Sequence, residues 1–364
     1  MRSNELSWGR WKKIRNSLVY QPPPETRDPD YDLRLDELGE LSIDSVITRM
    51  KEKTWIQESD LDDIRRAHQH FRAIRLENEL CDNLQSEAPP MRWDSYRDFL
   101  TQDWGSFLDN TDPSREKLFQ DYLEKHPCLL PHPWHTAQGY KNGSHVGAIF
   151  SQPELPGFRS KRPDFMLFYR DSIYIHALLV EIEAPAKSWS TRQGKPSAKL
   201  NQAIHQLREW KTWFNTPENH IAFRKLYEID RHNIQQRPLK LHYALIYGRR
   251  DEAISIPTFA QERANLAMHD EVFMTYDRLS ANPNLAESFT VTPDRSTPTT
   301  NWRAMHISPC FRLTEEGTLF FAECTNRENA ITKNTLLTNT RKEFLLSRIP
   351  VAEKILARTF KNTP

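Results

Sequence analysis

The chain has 364 residues, more than one ordinary domain needs and few for three. Charged residues make up 27%, and 50 Lys and Arg balance 49 Asp and Glu for a net charge of +1. That balance removes any global basic signature of nucleic-acid binding, although a local basic stripe remains open. Cys81, Cys128, Cys310 and Cys324 form no CxxC and show no metal-ligand rhythm. They read as reduced core thiols of a cytoplasmic protein. Met1 to Leu18 interleaves Trp, Lys and Arg without the apolar stretch of a secretory signal. The longest apolar run, Ile173 to Val180, falls far short of the ~20 residues that span a bilayer, so no membrane partner is expected.

In chain order, Pro22, Pro23 and Pro24 with Arg27, Asp28, Pro29 and Asp30 predict an arm that packs no core. Ser59 can cap a long helix on which Leu61, Ile64, Phe71, Ile74, Cys81 and Leu84 recur at helical spacing. Pro89 and Pro90 close this mainly helical N-terminal region, with a boundary near residue 95. Residues 96–285 then change character. A helix is expected from Ser114 to Lys125, stopping before Pro127. Strands follow over Asp164 to Tyr169 and Ile173 to Glu183, joined by a tight turn at Arg170, Asp171 and Ser172. A helix from about Lys199 to Phe214 turns Leu200, Ala203, Ile204, Leu207, Trp210 and Phe214 to one face. Further strands are expected at Leu241 to Tyr247 and Val272 to Tyr276. Helix, hairpin, helix and strand in that order is an α/β sandwich order. In residues 286–364, a C-terminal extension, Ala304 to Leu313 and Leu319 to Cys324 read as paired strands. A terminal helix from Arg341 to Phe360 is interrupted at Pro350.

Three acids stand out. Asp164 opens one strand, and Glu181 and Glu183 close the next, two apart and therefore on one face. In a tight hairpin the start of one strand lies beside the end of the other, so the three converge at one sheet edge. Carboxylates ending an apolar strand need a positive partner. A hard divalent cation, Mg²⁺ or Mn²⁺, suits oxygen ligands and retains the water that attacks a phosphodiester. From spacing alone a solvated edge or a salt-bridge pair fits as well.

The surroundings add a resemblance. Glu116, Phe119 and Gln120, followed by Leu123, Pro127, Leu129 and Leu130, resemble the leading helix of the Shedu anti-phage family. Arg162-Pro163-Asp164-Phe165 and Leu179 through Glu181, Glu183 and Pro185 are similar to its two acidic strands. Gly194 to Ser197, Leu200, Ala203 and Gln206 to Trp210 are similar to its next helix, and Ile246 to Arg250 and Thr275 to Asp277 to its closing strands. The resemblance covers about 112–280 and implies a restriction-endonuclease-like, PD-(D/E)XK core. It also implies a Mg²⁺-dependent DNA endonuclease acting on phage double-stranded DNA, as a homo-oligomer. Asp164 and Glu181 would be metal ligands, with Glu116 a further one. The general motif has Lys where this chain has Glu183. Glu183 can serve as ligand or base, and the missing cation is sought at Lys187 first, then Lys195 or Arg192.

For DNA, the stretch Lys187, Arg192, Lys195 and Lys199, with Arg249 and Arg250 beyond, suits phosphate contacts, and Trp189 suits stacking on a frayed base; Gln206, bordering the apolar arc near Trp210, suits the metal site, a DNA phosphate, or a satisfied amide at the core edge. Solvated loop charge is the plain alternative. His205 reads as surface. No helix-turn-helix, zinc finger or Walker loop is present. Two competing readings remain: a pseudonuclease that binds nucleic acid without cleaving it, and a carboxylate-pair glycosidase, which lacks an aromatic sugar platform.

Overall fold

Apolar runs without a polar alternate should become central strands, because a strand covered on both faces has no solvent side. The computed structural model of the chain bears this out. It describes residues 88–131, 147–157, 162–171, 173–229, 237–252, 259–296, 301–313 and 320–361, all in the unit Leu84–Pro364. The proline arm and the helix expected from Ser59 lie outside the described residues. The elements are α1 (Trp93–Asn110), α2 (Glu116–Lys125), β1 (Ala148–Ser151), β2 (Phe165–Arg170), β3 (Ile175–Ile182), α3 (Ala198–Phe214) and α4 (Pro217–Leu226). They continue with β4 (Leu239–Ile246), α5 (Phe259–Leu266), β5 (Glu271–Met274), β6 (Phe289–Asp294), β7 (Asn301–Ile307), α6 (Arg327–Thr332) and α7 (Asn339–Lys361).

The strands make one seven-stranded mixed sheet, ordered β5-β4-β3-β2-β1-β6-β7. β1, β2 and β3 pair antiparallel in turn, β3, β4 and β5 run parallel, and β6 lies parallel to β1. All eight residues of the central β3 are buried. Leu178, Val180 and Ile182 pack with Leu100 of α1 and Phe119 and Leu123 of α2. Ala177 and Leu179 face the other way, onto Leu207 and Trp210 of α3 and Phe223 of α4. The fold is thus a sheet between two helical layers, each buried aliphatic contributing about 1.5–3 kcal/mol of transfer free energy. α3 starts where Ser197 Oγ accepts the Leu200 amide at 3.1 Å, an N-cap.

The hairpin, the helix after it and the two following strands stand where the sequence placed them, within a residue or two. The C-terminal part differs. β6, not anticipated, pairs with β7, and both complete the same sheet. Phe320 to Glu323 is a helical turn instead of a strand; the sequence neighbours Phe320 and Phe321 both pack on Phe289, which the alternation of a strand would not allow. α7 passes through Pro350 unbroken; the flanking Ile349 and Ala352 are buried, and that packing offsets the lost backbone bond. The boundary expected near residue 95 falls within α1. Cys128, Cys310 and Cys324 are free and buried, as expected. No helix among the described residues is long and apolar enough to cross a membrane.

Candidate active site

The β2/β3 register pairs Phe165 with Val180, so one step further out Asp164 stands opposite Glu181. The Asp164 amide donates to Val180 O at 3.0 Å, and its carboxylate accepts the Ile182 amide at 2.8 Å. Glu181, in register opposite it, brings a second carboxyl to the same strand end. Burial, with the charge of Glu116 adding to it, pushes Asp164 up to about 7 against the relief given by the Ile182 amide. Glu181 is only 6% exposed and accepts Gln206 Nε2 of α3 at 2.5 Å.

The other acids arrive from α2 and the end of β3. Glu116, the first residue of α2, accepts the Ala184 amide at 3.1 Å. Glu183 is ion-paired with Lys187, whose ammonium also lies 3.6 Å from Glu116. A tight turn, with the Lys187 amide donating to Ala184 O at 2.9 Å, brings that lysine back over the strand end. The loop beyond is pinned. Glu252 accepts the Trp189 and Ser190 amides at 2.8 and 2.7 Å, and Trp189 Nε1 donates to Tyr247 O at 2.9 Å.

Two residues join the site that the sequence did not single out. Tyr276 is fully buried, and its hydroxyl has no hydrogen-bond partner among the described residues. Burial first, then the negative charges of Asp164, Glu116 and Glu181, raises its pKa, so the phenol lies in the field of all three acids. Glu124, on α2 and buried, is among the charges that raise Asp164.

The remaining expected residues divide. Gln206 is buried against Glu181 and does not face outward toward DNA. The Arg249 guanidinium holds Asp277 at 2.9 Å and Leu108 O at 3.1 Å, tying the exit of β4 to α1. Trp189 is 2% exposed, packed on Tyr247 and Phe273, and offers no face for stacking on a base. Arg192 and Lys195 are exposed on a tight turn closed by the Thr191 amide on Lys195 O at 2.7 Å. Lys199 is exposed in the first turn of α3. Lys195 makes no ion pair with the acids among the described residues, unlike Lys187. Arg250 is exposed, and His205 is at the surface as expected, 3.7 Å from Glu209.

The donor set suits a hard divalent ion. Two register-paired carboxyls at one strand end, and a buried phenol without a hydrogen-bond partner among the described residues, are what an ion and its water would satisfy. Among the described residues, though, no three acids, histidines or cysteines already close on one point as a metal cage. Lys187 and Gln206 hold part of that carboxylate set.

Fold and site together define an α/β mixed-sheet protein with a buried acidic cluster at the end of an antiparallel strand pair. Residues 113–280, a little under half of the chain, match the family model described as Shedu protein SduA, C-terminal. Over that stretch the chain is similar to the Shedu family. No curated protein matches the chain.

Proposed function

We propose that this chain is a metal-dependent DNA endonuclease with a PD-(D/E)XK core, acting in anti-phage defence on phage double-stranded DNA. The reading is carried by one observation: the register that sets Asp164 opposite Glu181, with the Ile182 amide holding the one carboxylate and Gln206 the other. Asp164 and Glu181 would hold Mg²⁺ or Mn²⁺, with Glu116 alongside. When bound, such an ion acidifies a water and offsets the charge that builds on the phosphate.

The chain's own residues do the rest. The Ile182 amide and Gln206 Nε2 fix the two carboxylates, so little reorganisation is needed once substrate arrives. Glu183 occupies the position where the general motif has lysine, and the ammonium of Lys187, folded back onto Glu183 and Glu116, restores a positive charge beside them. Arg192, Lys195 and Lys199, exposed beyond the strand end, suit the phosphate backbone. The family resemblance supports a homo-oligomer, which light scattering on the full chain tests.

Plasmid and linear DNA incubated with Mg²⁺, Mn²⁺ or chelator test the activity. Cleavage should require the metal and disappear in both Asp164→Asn and Glu181→Gln. Cleavage retained by both variants would remove these acids from the reaction. One observation favours a second reading: no ready metal cage among the described residues, with Glu183 in the lysine position. A pseudonuclease would bind DNA equally with metal or chelator and give no product over long incubation.

A further inference from the structure

Helix α2 carries a second acid that the proposed chemistry does not use. Glu124 lies two turns beyond Glu116 on the same helix and is 3% exposed. Burying a carboxylate costs several kcal/mol unless it is well compensated. Here the direct contacts are with neutral groups, and the charge of Lys117 on the same helix acts only from a distance. Ser151 Oγ donates to Glu124 Oε1 at 2.6 Å, and Gln120 Nε2 donates to the same oxygen at 3.2 Å. Among the described residues no cation stands in ion-pair contact with it. A leucine or methionine at this position would pack without that cost, so stability alone does not account for the acid.

The partners of Glu124 lead to the site. Ser151 ends β1 and pairs in register with Phe165, the neighbour of Asp164. The next residue, Gln152, sits in the left-handed region at φ 48°, which costs a non-glycine residue about 1 kcal/mol or more. In that conformation its amide donates to Asp164 O at 2.8 Å. The backbone of Glu124 is itself tied to β6, where Thr290 Oγ1 donates to Glu124 O at 2.7 Å. Asp164 is therefore gripped on its carbonyl from β1 and on its carboxylate from β3.

We propose that Glu124 is a positioning residue for the acidic site, acting through Ser151 and the left-handed Gln152 to hold Asp164 against Ile182. The proposal rests on reading Asp164 as a working acid of that site. Three variants of the full chain test it: Ser151→Ala, Glu124→Met and Glu124→Gln. The readout is amide hydrogen exchange by mass spectrometry, on peptides containing Gln152 and Ile182. The Ile182 amide reports the Asp164 carboxylate directly, because that bond is the one it makes. Ser151→Ala and Glu124→Met should exchange about tenfold faster at both peptides, with β7 unchanged. Glu124→Gln should keep most of the protection, since its amide oxygen still accepts from Ser151. On DNA, kcat should fall about tenfold in the first two variants with KM within about twofold, and recover in the third.

Unchanged exchange at Ile182 in Ser151→Ala overturns the proposal, even if Glu124→Met does not fold. So does acceleration spread equally into β7, which marks general loosening, and so does local acceleration with an unaltered kcat. If the wild-type chain cleaves no DNA, the nuclease reading fails by itself, and the exchange at Ile182 still decides whether Glu124 positions Asp164.

Discussion

Gly248 is where the packing of the fold meets the geometry of the site, and replacing it with alanine tests both. The residue has φ +63°, a conformation that L side chains rarely adopt. A Cβ there would stand 2.9 Å from Lys187 O and 2.9 Å from Trp189 Nε1. Neither neighbour yields easily: the first is backbone, and the second is a buried indole already bonded to Tyr247 O. Left-handed strain contributes about 1–2 kcal/mol, and forced overpacking a further ~1–3 kcal/mol. Gly248→Ala should therefore lose about 2–5 kcal/mol in urea, as a lower midpoint at unchanged slope. Because the clash falls on the Lys187 carbonyl, the ammonium should shift from Glu116 and Glu183, and cleavage should drop beyond what unfolding explains. Gly105, mid-helix in α1 with nothing within 4 Å of its would-be Cβ, is the control. There alanine should stabilise by roughly 0.5–1 kcal/mol. A loss under about 1 kcal/mol at Gly248, or equal effects at the two glycines, would refute the steric argument.

Tyr276→Phe removes a buried hydroxyl that lacks a partner, so the variant should gain about 1 kcal/mol by thermal or urea denaturation while cleaving DNA more slowly. A loss of stability would show instead that the hydroxyl is well satisfied in the metal-free protein. Asp164 is raised to about 7 in the fold against an unfolded value near 3.9, so between these pH values the native state binds the extra proton. Its contribution is thus present at low pH and is lost as pH rises through 7, with a ceiling of about 4 kcal/mol that its coupling to Glu181 reduces. The melting temperature of Asp164→Asn relative to wild type should rise between pH 5 and pH 8 without metal; a flat difference would contradict the burial argument. Lys187→Ala frees Glu116 and Glu183 of their cation. Calorimetric titration should show tighter Mn²⁺ binding, and kcat should fall about tenfold or more. Weaker metal binding would mean that Lys187 organises the acids instead of competing for them.

The strand pair could be read from the sequence because burial and register leave few choices. The largely apolar run Ile173 to Val180, followed by Glu181, leaves a strand covered on both faces, and a short turn at Asp171 fixes which residue of β2 comes opposite. The residues that escaped are those whose roles come from distant partners. Glu124 looks like any helical glutamate followed by lysine, and only β1 and β6, far along the chain, show it to be buried. Trp189 and Arg249 lie in polar loops and invite a solvent-facing reading, yet the partners that fix them, Tyr247 and Asp277, are 58 and 28 residues away. On the proposed nuclease reading, the lysine position that Glu183 fills has the same kind of answer. Counting along the chain puts Glu183 where the general motif has lysine and leaves Lys187 four residues too late. The turn after Ala184 reverses the backbone, and a residue four positions on then covers the same carboxylate. What the chemistry requires is an ammonium at a point in space, and a four-carbon side chain on a tight turn reaches that point as well as one rooted in the strand.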